Sequence, residues 1–193
     1  PLPGQWWPPV MLARDWVDRH HDDFDVMHVH FGFESTDPPT LQQWCADLAR
    51  LRRPLVVTVH DLVNPHFADQ REHRRLLDVL IPRADRLITL TPGAAAEIER
   101  RWQRCAEVIP HPHIAPLDWT PRDRRNRPDE FVIGVSVRDL RANVDPLPVL
   151  LALDAARPGL PGTTVRVDLH PGIRERTDDR ARALLRWLDA RRT

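Results

Sequence analysis

The sequence contains no lysine and no tyrosine. All 28 of its basic residues are arginine, so every cationic contact to an anion comes from a planar, permanently charged fork. The 28 acidic residues cancel them to a formal net charge of zero, which leaves no long-range electrostatic case for nucleic acid or an anionic membrane surface. Cysteine is scarce as well. Cys45 and Cys105 form no CxxC pair, and a reducing, cytoplasmic setting is expected. No apolar run approaches the roughly 20 residues needed to span a bilayer. The opening PLPGQWWPPV carries no initiator methionine and no recognisable targeting signal, and the expectation is a chain lacking its true beginning. Ser35, Ser136 and the two cysteines lack the surroundings of a nucleophile elbow or a papain-like thiol, and no HExxH occurs. Covalent catalysis by these groups is therefore not expected.

What is present alternates. Residues 10–21 place Val10, Ala13, Trp16 and Val17 at helical spacing, and a strand follows over 24–31. Turn residues and a Thr40 N-cap precede Leu41, Trp44, Cys45, Leu48 and Leu51, an amphipathic stripe ending in arginine. A strand over 55–60, a helix over 69–82, a short strand in ADRLITLTPG, a helix in GAAAEIERRWQRC and a strand at EVIP complete this half. Strands interleaved with helices imply parallel pairing, and their continuous apolar runs suit burial on both faces. Residues 110–130 carry five prolines and clustered opposite charges, which read as a linker. Within it RDRRNR (122–127) reads as a solvated face and Trp119 as a residue that pins the linker. The alternation then resumes with a strand at FVIGVSV, a helix over 145–157 opened by Asp145-Pro146, a strand at TTVRVDL and a helix over 177–192. Two strands and two helices are few for an independent α/β domain, so this second half is expected to be partial.

The fold class expected is α/β with Rossmann-like parallel sheets, in three parts: residues 1–109, a linker at 110–130 and residues 131–193. Open parallel sheets bind ligands beyond the carboxyl ends of their strands. His30, His60 with Asp61, and His111 fall at three such ends, and Asn64 and His66 follow shortly after. His28 and His30 share a strand face because alternate side chains point the same way. Together with His113 and His170 they leave open a metal-dependent hydrolase built on histidine clusters. In the second half Arg138 sits just past a strand, Arg141 three residues on, and a helix begins near Asp145. That arrangement suits a diphosphate.

Four stretches, DVMHVHFGF, PLVVTVHDL, ADRLITLTPGAAAEI with VIPHP, and FVIGVSVRDLRANVDPL, occur in the order seen in GT-B glycosyltransferases. In these residues the chain resembles the family-4-like retaining group over roughly 25–157. The resemblance implies a GT-B-type two-domain arrangement with the second domain partial, the acceptor mainly on the first domain and the nucleotide-sugar on the second. It implies metal-independent transfer, with retention in the family's manner, from a nucleotide-sugar to an acceptor that is a small molecule, lipid or glycan. The nucleotide-sugar is a substrate, so no cofactor is implied; peripheral membrane contact stays open. By the same resemblance His60 matches the histidine of a T-x-H motif beside the reacting carbon. His30 borders the acceptor side, and Arg138 holds the donor diphosphate. The family's partner lysine has no counterpart: Ala142 stands there, which leaves Arg141 to substitute. The glycine-rich first strand and the E-x7-E motif are also missing, and PHP at 110–112 replaces Pro-Asn-Gly. These departures keep a non-catalytic pseudo-glycosyltransferase binding module as a further alternative.

Overall fold

A computed structural model describes residues 7–113, 116–118, 131–142 and 144–191. Its contacts divide the chain into two compact units, Pro1–Asn64 with Asp69–Ile114, and Pro65–Ala68 with Ala115–Thr193. Most of the proline-rich segment 110–130, including Trp119 and the run at 122–127, lies outside the described residues.

In the first unit the elements run α1 (Trp16–His20), β1 (Met27–Val29), α2 (Pro38–Arg50), β2 (Leu55–Val59), α3 (Arg71–Arg83), β3 (Arg86–Thr89), α4 (Pro92–Trp102) and β4 (Glu107–Val108). The four strands form one parallel sheet in the order β1-β2-β3-β4. Val29 lies opposite Val57, Val59 opposite Thr89, and Thr89 opposite Val108. Strand parity sorts the side chains. Met27, Val29, Leu55, Val57, Val59 and Leu87 join Leu41, Trp44 and Leu48 of α2, Leu76, Leu77, Leu80 and Ile81 of α3 and Ile98 of α4 in a core of twenty buried residues. His28 has the opposite parity and is exposed. The α/β Rossmann-like reading therefore holds, with the helical stripes covering the sheet as their spacing predicts.

Several boundaries differ from the sequence reading. The segment 10–21 is not one helix. A 3-10 turn at Val10–Leu12, the short α1 and a second 3-10 turn at His21–Asp23 replace it. Asp15, at φ +62°, has a left-handed backbone that cannot continue a right-handed helix. Leu12 and Val17 are the buried residues there, while Val10 is exposed. Strand β1 is shorter than 24–31, because its ladder with β2 spans only Met27–Val29. Asp37, not Thr40, caps α2: its Oδ1 accepts from the Thr40 N–H at 2.7 Å, and prolines fill the first turn. The far end of α3 is sealed by Arg104, whose guanidinium donates to the carbonyls of Ile81, Pro82 and Ala84. Those are carbonyls that a helix end leaves without partners.

The second unit contains β5 (Phe131–Val137), α5 (Leu147–Ala156), β6 (Thr163–Leu169), α6 (Pro171–Arg174) and α7 (Asp179–Asp189). The two strands pair in parallel along their whole length, from Phe131 opposite Thr163 to Val137 opposite Leu169. Among the described residues, Val137, Leu140, Leu150, Ile173, Ala181 and Leu184 make its core of six. Helix α5 starts two residues later than expected, with Pro146 at the cap position. Asp145 still accepts from the Leu147 N–H at 3.1 Å. Helix α7 is shorter than 177–192, because the Asp178 side chain accepts from the Ala181 N–H and so sets its start. The short α6 was not foreseen; His170 caps it through Nδ1, 3.2 Å from the Gly172 N–H. No helix among the described residues is long and apolar enough to cross a membrane.

Candidate functional site

The carboxyl ends of β1, β2 and β4 bring together histidines from distant parts of the first unit. His28 and His30 leave β1 on the face opposite the core, with ring centroids 4.1 Å apart. His28 Nε2 lies 2.8 Å from the hydroxyl of Thr58, which has the same parity on the neighbouring strand. One residue past β2, His60 meets His30: Nε2 of the first and Nδ1 of the second lie 3.1 Å apart. His111, past β4, sits beyond His60 at a centroid distance of 5.8 Å. Phe31, 61% exposed, stacks on His60 at 4.3 Å and 22°. Parity on the strands and the location of the strand ends place His28, His30, His60 and His111 in one row.

Electrostatics follow from this crowding. Burial, then the neighbouring His30 and His111, hold the His60 imidazole below its ordinary value, with Asp61 opposing. Burial and then His30 do the same for His28. This crowding favours the neutral imidazole at His60, which offers one donor and one acceptor nitrogen. Asp61 is exposed beside it.

Behind the row lies a polar layer. Asn64 is 7% exposed; its Nδ2 donates to Glu34 Oε1 at 3.0 Å, and its main chain is bracketed by the Gln70 amide. His73, on α3, is 1% exposed and places Nε2 3.0 Å from the carbonyl of Asp61. Neither Glu34 nor His73 stood out in the sequence reading. A signal existed: His73, Leu76, Leu77 and Leu80 recur on the buried stripe of α3, and a histidine within an apolar stripe needs partners. A small hollow of about 10 Å³ is lined by both layers, from His30, Phe31 and His60 to Glu34 and His73. A wider cleft, about 390 Å³, lies elsewhere, between the N-terminal turns and α2. Its Asp18 and Asp47 are already paired with Arg50.

Of the other residues singled out in the sequence, His66 falls in Pro65–Ala68, which groups with the second unit. Arg138 follows β5, is exposed, and has no ion pair among the described residues. Arg141 is held loosely by Asp139, Nε to Oδ2 at 3.8 Å. Asp145 occupies the Leu147 amide at the start of α5 and so competes there with any anion. Cys45 is buried, and burial pushes its thiol up to about 11, far from a reactive thiolate. Among the described residues no three His, Cys, Asp or Glu side chains are arranged to hold a metal ion.

The family whose sequence model matches is described as Glycosyltransferase Family 4, and the match runs over residues 1–113, more than half of the chain. It takes in all four strands of the first sheet and the whole histidine row. No curated protein matches the chain.

Proposed function

The chain belongs to glycosyltransferase family 4, and on that premise we propose that it moves a sugar from a nucleotide-sugar donor to an acceptor hydroxyl, without a metal ion and with retention at the anomeric carbon. The observation that carries the reading is the neutral His60 at the end of β2, fixed on one side by His30 and on the other by Phe31. His60 is the group that meets the donor sugar beside the reacting carbon. His30, Asp61 and His111 border the substrates, and Asn64, being buried, acts through the loop it braces. Arg138 and Arg141 take the donor diphosphate.

In the reaction the anomeric carbon–oxygen bond to the diphosphate breaks, and a bond to the acceptor oxygen forms. The acceptor's proton leaves with the departing phosphate oxygen or to solvent. Charge builds on the leaving nucleoside diphosphate, and two guanidiniums with no protonation equilibrium at neutral pH meet it. That supply of fixed positive charge is the support for a metal-independent route. A contact of this kind typically contributes on the order of 3 kcal/mol in the transition state. His60, neutral and aimed by its neighbours, orients the sugar and polarises its hydroxyls.

The test is kinetic. A panel of nucleotide-sugars is offered to the intact protein with His60→Ala alongside. Turnover of a donor is expected, with kcat reduced in the variant by on the order of 100-fold and donor binding by calorimetry changed much less. Equal loss in kcat and in binding removes the transition-state role of His60. No turnover from any donor, with nucleotide binding unaffected by Arg138→Ala, leaves a non-catalytic binding module.

A further inference from the structure

We propose that His73 is a positioning residue: a buried imidazolium that staples the loop after β1 to the loop after β2, through Glu34 and the Asp61 carbonyl, and so sets where His60 presents its ring. The role of His60 is taken from the reading above; the staple itself stands on geometry.

Both ring nitrogens of His73 face acceptors. Nε2 lies 3.0 Å from the Asp61 carbonyl oxygen, and Nδ1 lies 3.5 Å from Glu34 Oε1. A neutral imidazole has a single N–H. It can satisfy either neighbour, but it then turns a lone pair on the other. The protonated ring donates to the Asp61 carbonyl through Nε2 and turns its Nδ1–H, which makes no hydrogen bond of its own, toward the Glu34 carboxylate as an ion-pair contact. His73 is 1% exposed and the Glu34 side chain 12% exposed, so bulk solvent screens the pair little. Phe33 stacks on the ring at 5.7 Å and closes another side. The Glu34 oxygen that faces His73 also accepts from Asn64 Nδ2. One charge pair therefore gathers the residue after β1's turn, the carbonyl next to His60, and the helix beneath them.

Stability alone does not account for such a pair. An apolar side chain of similar volume commonly serves a buried position as well or better than an ion pair. What the pair adds is a specified register between two loops, each beginning with a histidine of the row.

The charge states agree. Burial opposes the charge on His73, but Glu34 and the Asp61 carbonyl outweigh it and raise the imidazole above 6.5. Burial likewise opposes ionisation of Glu34, yet the facing His73 and the backbone of its own loop leave that carboxyl below 4.5. The groups that face the pair are Glu34 from the loop after β1 and Asp61 from the loop after β2, with His30 and His60 lining the same hollow. The His73 contribution is complete below 6.5 and is lost as pH rises through its raised folded value. The Glu34 contribution is complete above 4.5 and is lost as pH falls through its lowered one. The staple is closed between those limits.

Imidazole titrations followed by nitrogen-15 NMR on the full chain test this without substrate. In the wild type, His73 is expected to carry protons on both nitrogens at pH 6.5, and the His60 signal to show a second inflection where His73 titrates. His73→Gln keeps a donor for the Asp61 carbonyl but removes the charge. It is expected to abolish that inflection, shift the His60 signals and lower kcat on the order of 10- to 100-fold with KM little changed. Glu34→Gln, which tests the pair even if His73→Gln fails to fold, is expected to bring the His73 titration below 6.5. A singly protonated His73 at pH 6.5, or a His60 titration unmoved by either variant, overturns the proposal. An absence of turnover with the NMR result intact overturns the catalytic reading instead and leaves the staple standing.

Discussion

The two units furnish the ends of their strands with different materials. In the first, four parallel strands over a core of twenty buried residues present imidazoles that touch one another and rest on a buried polar layer. In the second, two strands over a core of six present guanidiniums that are exposed or loosely paired. An imidazole near pH 7 owes its charge state to its neighbours, so it needs a built surrounding. A guanidinium stays charged in any surrounding and needs only to be within reach. The amount of buried structure behind each group follows from how far its chemistry depends on context.

The sharpest way to break this comparison is to remove core from each unit. Leu80→Ala, at a residue 0% exposed in the first core, is expected to cost about 2–5 kcal/mol by chemical denaturation. Leu150→Ala, equally buried in the smaller core, is expected at the lower end of that range, because a small core collapses more readily around a cavity. Equal losses would show that core size does not distinguish the units. Next in size, Arg138→Ala is expected to weaken nucleotide-sugar binding on the order of 10-fold by calorimetry, the loss of one charge-assisted contact. Its thermal midpoint is expected to stay within a degree or two, since Arg138 braces nothing among the described residues. The smallest effect sharpens the picture of the first unit. Thr91 caps α4 by accepting from the Ala94 N–H at 3.2 Å, so Thr91→Ala is expected to cost about 1 kcal/mol, with the His60 NMR signals unmoved.

What could be read from the sequence divides along the same line. β2 was legible because Leu55–Val59 is an unbroken run of aliphatic and β-branched residues stopped by His60. The row of His28, His30, His60 and His111 was legible because strand parity and strand ends are local properties. Helix starts were displaced where a nearby carboxylate reached the amides first, as Asp37 does at α2. The segment 10–21 was misread because nothing in its apolar spacing announces the left-handed Asp15. Glu34 and His73 escaped for a different reason. Each is ordinary within its own stretch, and only the chain path that brings the loop after β1 against α3 makes them partners. A long-range pair of this kind carries no local pattern.

The contact between His30 and His60 has one more consequence. A nitrogen-to-nitrogen hydrogen bond needs a proton on one ring and a lone pair on the other, so in a neutral pair the two histidines cannot choose their tautomers independently. Whichever ring donates in the link, the far nitrogen of each is settled with it. A group that binds one imidazole is in this way felt at the other, across two strands.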